Sequence, residues 1–238
     1  MPVLGFVVAL PGEARTLSQQ RLDFEATHAL PGGHWIGVSG AGPERAHRAG
    51  RKLLDQNVDA LISWGCAGAL KEDLQPGHLV IPECILSANH EPLVPDRSWH
   101  QAFLDTIPTH LTHHTGTLLE SRSVIKTADE KSRLQSATGA LAIDMESAAI
   151  ARLAKAENIP FLVIRSIADD ALMNVPEAIN QSLNPRGDVR MGALLLGLLR
   201  RPQDLPGLIQ LGRSFALALT TLRAVRDAQN THFSLKGR

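Results

Sequence analysis

Pro160-Phe161-Leu162-Val163-Ile164-Arg165-Ser166-Ile167 is a short, β-branched and mostly apolar run. Its continuous rather than alternating apolarity predicts a strand covered on both faces, as in sheets flanked by helices. Three further runs share this texture, Leu4 to Leu10, Trp35 to Ser39 and Ala60 to Trp64, with Leu79 to Leu86 as a fifth. Helical spacings lie between them. Pro43 to Asn57 opens on a proline suited to a first turn and lines up Ala46, Ala49, Leu53 and Leu54 along one side. Asp144 to Asn158 spaces Met145, Ala148, Ala149, Leu153 and Ala156 in the same way, which places Glu146 in a first helical turn, where the dipole favours an anion. Strand followed by helix recurs, so the expected fold is a layered α/β one.

The length of 238 residues suits one α/β unit over residues 1–238 with a sizeable core. After Asp169 the texture changes. Asn174-Val175-Pro176 and Ser182-Leu183-Asn184-Pro185-Arg186-Gly187 are turn-rich, a leucine-rich helical extension follows from about residue 188 to Ala228, and Gln229 to Arg238 reads as a frayed polar tail. Lys plus Arg (24) balance Asp plus Glu (24), which argues against nucleic acid as partner and for a small neutral or polar ligand. The two cysteines, Cys66 and Cys84, are too few for a disulfide framework and lack metal-ligand spacing, which suits a reducing, cytoplasmic setting. Leu4 to Leu10 lacks a basic flank and meets Pro11 at once, so it reads as a strand and not a signal peptide. Met191 to Leu199 is too short for a bilayer, which needs about 20 residues. His110, His113 and His114 are irregularly spaced beside Pro108 and read as a polar surface loop. No metal or cofactor is expected.

Three glycine-containing segments fall where strands should end: Pro11-Gly12-Glu13-Ala14-Arg15, Ser39-Gly40-Ala41-Gly42-Pro43-Glu44-Arg45 and Gly65-Cys66-Ala67-Gly68. Such turns form the ligand crevice of open α/β sheets. The second has Arg45 where a dinucleotide fingerprint needs its third glycine, and none continues as a P-loop. Cys66 has no Cys-His partner pattern and reads as a small residue lining the site, not a nucleophile.

Two further segments bear the chemistry: Ile143-Asp144-Met145-Glu146-Ser147-Ala148-Ala149, entering a helix, and Arg165-Ser166-Ile167-Ala168-Asp169-Asp170, leaving a strand. Their order and interval, with the three glycine segments before them, make the chain resemble the nucleoside phosphorylase and nucleosidase superfamily, especially the methylthioadenosine/S-adenosylhomocysteine nucleosidases. The resemblance covers about Leu4 to Asp170 and implies a three-layer αβα sandwich around a mixed, partly barrel-like sheet. It also implies cleavage of the N-glycosidic bond of a 5′-substituted purine nucleoside.

Such cleavage builds positive charge on the ribose and negative charge on the departing base. The resemblance assigns Asp169 to the leaving base, Glu146 to the ribose hydroxyls and Glu13 to the attacking water. Met145 would pack on the sugar, Gly65, Cys66 and Ala67 would line the site, Arg165 would brace the Asp169 loop beside Ser166, and Val124 and Ile125 would wall the base. Family phosphorylases place an arginine before the Gly-x-x-Gly segment, and Ser63-Trp64 stand there instead, which favours water over phosphate. The alternative is phosphorolysis, with Gly12, Arg15 and Arg45 gathering the anion. The leucine-rich extension is similar to the hopanoid-associated phosphorylase branch, which implies adenosylhopane as a lipid-linked alternative substrate. The apolar helices could also touch a membrane surface beside Arg200 and Arg201. The family resemblance further implies a homo-oligomer. A catalytically silent nucleoside sensor is the rival of another class, and it would be marked by loss of Glu146 or Asp169; both are present.

Overall fold

The computed structural model describes residues 2–176 and 201–229. The Ser182 to Gly187 turn, the Met191 to Leu199 stretch with Arg200, and the tail beyond Gln229 lie outside the described residues.

One mixed sheet runs through the molecule. Its strands are β1 (Leu4–Val8), β2 (Thr27–Ala29), β3 (Trp35–Val38), β4 (Ala60–Ala69), β5 (Leu79–Val80), β6 (Cys84–Leu86), β7 (Pro92–Leu93), β8 (His113–His114), β9 (Thr117–Glu120), β10 (Ala142–Asp144) and β11 (Phe161–Asp169). Strand β4 is the trunk. Parallel β1 pairs along Ala60 to Ser63, parallel β11 along Leu61 to Gly68, and antiparallel β10 at Gly68 and Ala69. From it the sheet continues through β1, β3 and β2 on one side and through β10, β9, β6 and β7 on the other, while β11 carries β5 and β8. The sheet therefore branches at β4 and is not closed into a barrel.

The helices are α1 (Pro11–Leu17), α2 (Pro43–Leu54), α3 (Arg97–Leu104), α4 (Ala128–Thr138), α5 (Ser147–Ala156) and α6 (Leu205–Gln229). Alternation along the buried strands sorts their side chains into two cores. Leu4, Phe6, Val8, Ile62, Trp64, Leu162 and Ile164 meet α1, α3 and α6 through Ala14, Leu17, Trp99, Phe103, Leu222 and Val225. Val7, Leu61, Val163 and Ile167 meet α2 and α5 through Ala46, Ala49, Leu53, Ala148, Ile150 and Leu153. Helices thus cover both faces, the arrangement that continuous apolar runs require. Among the described residues no helix is long and apolar enough to cross a membrane.

Several local expectations change. Pro11-Gly12-Glu13 is not a turn but the opening of α1, with proline at a position whose missing N–H costs the helix nothing. Gly65 to Gly68 lies inside β4, so the strand runs five residues past Trp64, to Ala69. The Leu79 to Leu86 run breaks into β5 and β6, because Pro82 has no N–H to give a ladder. Leu54 is only partly buried. His113 and His114 form β8 on the edge of β5 rather than a loop, and the His114 ring stacks on His78 with centroids 5.2 Å apart.

Candidate active site

The site forms where β1, β4 and β11 end beside the entries of α1 and α5. Glu13 is buried in the first turn of α1. Its Oε2 accepts the Ala9 and Leu10 N–H groups at 3.1 and 2.9 Å, and its Oε1 accepts the Cys66 N–H at 2.7 Å. The carboxylate thereby ties the exit of β1 to the middle of β4. Burial raises its pKa above the usual carboxylate range, against the opposing pull of Arg165 and of the three backbone donors. Burial and the adjacent Glu13 push the Cys66 thiol well above its ordinary value, which leaves it a poor nucleophile.

Glu146 does not lie in a first helical turn. It is the residue just before α5, with non-helical φ −122° and ψ −36°, and α5 starts at Ser147. The side chain that caps this end is Asp144, which accepts from Ser147 N at 3.1 Å and from Ser147 Oγ at 2.5 Å. Glu146 is released for another partner, and its Oε1 accepts the Gly42 N–H at 2.9 Å. Gly42 has φ +107°, a conformation open to glycine and strained for other residues, so the second glycine of the Ser39 segment is what aims this N–H at the acid. Burial and the neighbouring Asp144 raise the Glu146 pKa to about 7, against Arg165 and the Gly42 N–H.

Arg165 binds these acids together. On β11 it faces α5, where Nη2 lies 2.5 Å from Asp144 Oδ2, 2.8 Å from Ser63 Oγ and 3.8 Å from Glu146 Oε2. Burial opposes its charge, but Asp144, Glu146 and Glu13 outweigh this and raise its pKa. Its other terminal nitrogen, Nη1, is buried without a hydrogen-bond partner among the described residues. Arg165 therefore braces the α5 entry and the Glu13 side of the site, not the Asp169 loop.

Asp169 ends β11. The register of β11 on β4 slips between Ile167 and Asp169, so a bulge sets Asp169 opposite Gly68. A Cβ on Gly68 would stand 2.8 Å from Asp169 Oδ1, so the glycine supplies the space the carboxylate occupies. Asp169 Oδ2 pairs with the ammonium of Lys131 on α4. Burial raises the Asp169 pKa, with Lys131 opposing and Asp170 adding to the rise.

The structure thus gathers Glu13, Gly65, Cys66, Glu146, Arg165 and Asp169 around the second half of β4. Ala67 is buried in the same strand, and Met145 is half-buried beside Glu146. Ser166 Oγ donates to the His78 carbonyl at 3.3 Å, a sheet contact. Val124 is exposed, and Ile125 is half-buried against the Leu70, Leu119, Ala140 and Ile143 cluster. Of the anion set, Gly12 packs under α6, where a Cβ would meet the Phe215 ring at 3.1 Å, Arg15 is exposed, and Arg45 is half-buried in the first turn of α2. Sequence reasoning missed Lys131, Asp144, Ser63 and Ser147. Asp144 sits within the motif that holds Glu146. The capping signature Thr127-x-x-Glu130 marks the start of α4, but nothing in it marks Lys131 as buried.

An α/β sheet with three buried carboxyls and a buried guanidinium at its strand ends is the frame of a small-molecule site. The phosphorylase superfamily profile matches residues 3–200, and the chain belongs to that family. A 5′-methylthioadenosine/S-adenosylhomocysteine nucleosidase of Buchnera aphidicola subsp. Baizongia pistaciae is 29% identical over 150 residues, which are 56% of this chain and 60% of that protein. The chain thus spans about 60% of the length of that relative. The crystal structure of the nucleosidase of the same name from Neisseria meningitidis, in complex with methylthio-immucillin-A, superposes with a TM-score of 0.71 at 16% identity over 96% of this chain and 98% of that one. Futalosine hydrolase of Helicobacter pylori does so with a TM-score of 0.67 at 16% identity over 95% and 97%. These structures share the fold.

Proposed function

We propose that the protein is an enzyme that cleaves the N-glycosidic bond of a 5′-substituted purine nucleoside with water and releases adenine. The observation that carries this reading is the placing of Glu13, Glu146 and Asp169 around one stretch of β4, the first two buried and Asp169 half-buried, each in a different electrostatic setting. In a bond cleavage that leaves the sugar cationic and the base anionic, differently tuned acids can serve opposite ends. Asp169 gives a hydrogen bond or proton to the departing purine. Glu146 accepts from the ribose hydroxyls, with Met145 against the sugar, and Val124 and Ile125 wall the base. Glu13, raised by burial, is a stronger base than a free carboxylate and takes the proton of the attacking water. Nη1 of Arg165, which has no hydrogen-bond partner among the described residues, supports this, because such a buried donor is what a site keeps for a ligand atom.

Water is favoured over phosphate by the packing of Gly12 under α6 and the exposure of Arg15. The nucleosidases the chain is similar to support the same substrate class. The lipid-linked alternative, adenosylhopane with phosphate as nucleophile, is supported by the exposed Leu205, Ile209 and Leu217 of α6, which could also meet a membrane surface or a second subunit. Two free cysteines fit a cytoplasmic setting.

The test is adenine release from methylthioadenosine, S-adenosylhomocysteine and adenosylhopane, each with and without phosphate. We expect release from the first two without phosphate. Strict dependence on phosphate would replace water as the nucleophile, turnover of adenosylhopane alone would establish the lipid reading, and binding without any turnover would mark a sensor.

A further inference from the structure

We propose that Lys131 is a positioning residue for Asp169, one that holds Oδ2, makes the carboxyl a stronger acid and leaves Oδ1 facing the substrate. The proposal rests on the reading of Asp169 as the group that serves the leaving base.

Helix α4 is mostly polar, with Leu134 only partly buried, and the one side chain it buries is a lysine, 1% exposed. Burying an ammonium is costly unless its charge and all three protons are met. They are met by Asp169 Oδ2, by the Asp170 carbonyl at 2.6 Å and by the Met173 carbonyl at 3.4 Å. An apolar side chain would fill this position at less cost, so the ammonium is explained by what it holds. Among the described residues it holds only Asp169 and the backbone just after it. The helix that presents Lys131 is itself tied to that same segment: Ala128 N donates to Asn174 Oδ1 at 2.9 Å, and Val175 N donates to the Lys126 carbonyl at 2.8 Å. The capping pair Thr127 and Glu130 fixes the first turn of α4 between these contacts. Nitrogen, carboxylate and loop therefore move as one body.

The two oxygens of Asp169 are divided by this arrangement. Oδ2 is occupied by Lys131, and Oδ1 lies over Gly68 on the site's own strand. When the glycosidic bond breaks, its electron pair stays with the purine. The proton on Asp169 passes to the base nitrogen it faces, and the carboxylate left behind is neutralised by Lys131. Among the described residues the other charged or titratable groups about Asp169 are Asp170, just past β11, and Cys66 on β4. Lys71, Glu72 and Asp73 line the far side of a cleft of about 360 Å³ between α4 and Ala171. None of these gives Asp169 a paired cation, so Lys131 is the group whose loss it should feel most.

The experiment follows the Asp169 carboxyl directly by ¹³C NMR of Asp-labelled protein, with Asp169→Asn to assign the resonance, in wild type, Lys131→Met, Lys131→Gln and Lys131→Arg. Loss of the cation should raise the Asp169 titration by at least about one pH unit in the Met and Gln variants and leave it in place in the Arg variant. In adenine release, kcat should fall at least tenfold in the two neutral variants with KM within about threefold. Because the protonated acid is the active form, the alkaline limb of kcat should move upward with that titration, and Lys131→Arg should restore both rate and limb. An unmoved titration with wild-type kcat overturns the proposal. If neither neutral variant folds, wild-type ¹⁵N detection of Lys131 Nζ decides: its resonance should respond as Asp169 titrates, and independence of the two overturns the pairing. Full activity of Asp169→Asn would instead overturn the parent reading, while the NMR comparison would still report on Lys131.

Discussion

Gly65 on β4 stands directly opposite Arg165 on β11, and the guanidinium reaches into the space that a side chain at Gly65 would fill. A Cβ there would lie 2.5 Å from Arg165 Nη1 and 2.5 Å from Glu13 Oε1. Gly65→Ala should therefore force one of these groups aside, costing about 1–3 kcal/mol of stability, as overpacked cores do. It should also lower adenine release at least tenfold. Urea unfolding and activity on the same preparation check both, and an alanine variant of wild-type stability and rate would contradict the close approach.

Glu146 links activity to pH in one direction and stability to pH in the other. Its folded pKa of about 7 lies above its ordinary value of 4.5, so the folded state holds its proton more tightly than the unfolded state does. This contribution is fully present below about pH 4.5 and is lost as pH rises through 7. Glu146→Gln, which cannot ionise, should unfold harder than wild type at pH 8, by roughly 2–3 kcal/mol, and differ little at pH 5. Its Oε1 can still accept from Gly42 N. On the proposed role of Glu146 at the ribose, which calls for a charged acceptor, activity should nevertheless be lost, and wild-type kcat should climb as pH rises through about 7. Denaturation curves at the two pH values and a kcat profile give the comparison. Equal stability of the two proteins at pH 8 would rule this out.

Asp169→Asn removes the acid but keeps the shape of the side chain. General acid assistance is worth about 10²–10⁴-fold, so kcat should drop by that factor while nucleoside binding, measured by calorimetry, changes by less than about tenfold. A variant with near-normal turnover would take Asp169 out of the leaving-group role.

Arg165→Leu should be the most damaging of these changes. It leaves Asp144 and Glu146 buried beside each other without their shared cation, a loss of about 3–5 kcal/mol. Without the cation, which holds its pKa down, Glu146 takes up its proton at higher pH in the folded state, so the deficit should shrink as pH falls from 8 toward 5. Thermal melts across that range test the sign, and a deficit that is constant or grows in acid would be inconsistent with the pairing.

The strands and their alternation with helices were legible because continuous apolar runs leave little choice but a sheet buried on both faces. Glu146 and Asp169 were legible through the motifs around them. What escaped was anything decided between elements. Gly65 and Gly68 read as punctuation along the chain, yet they sit within a strand, and their missing side chains make room for Arg165, Glu13 and Asp169. A lysine on a mostly polar helix reads as solvated, and only the docking of α4 on Asp169 and the segment that follows it turns Lys131 inward. Arg165 lies next to Ser166 and Asp169 in sequence, which suggests a brace for that loop. The strand pleat directs it toward Asp144 and Ser147 instead.

Gly12 lies against Phe215 and Leu219 of α6, and Arg226 of the same helix donates to the Thr16 carbonyl of α1, across 210 positions of sequence. The helix that presents Glu13 leaves the ribosome well before the wall it leans on. The proposed cleavage should accordingly appear only after synthesis has passed α6, so that a nascent chain with β1 to β11 already exposed still cannot carry it out.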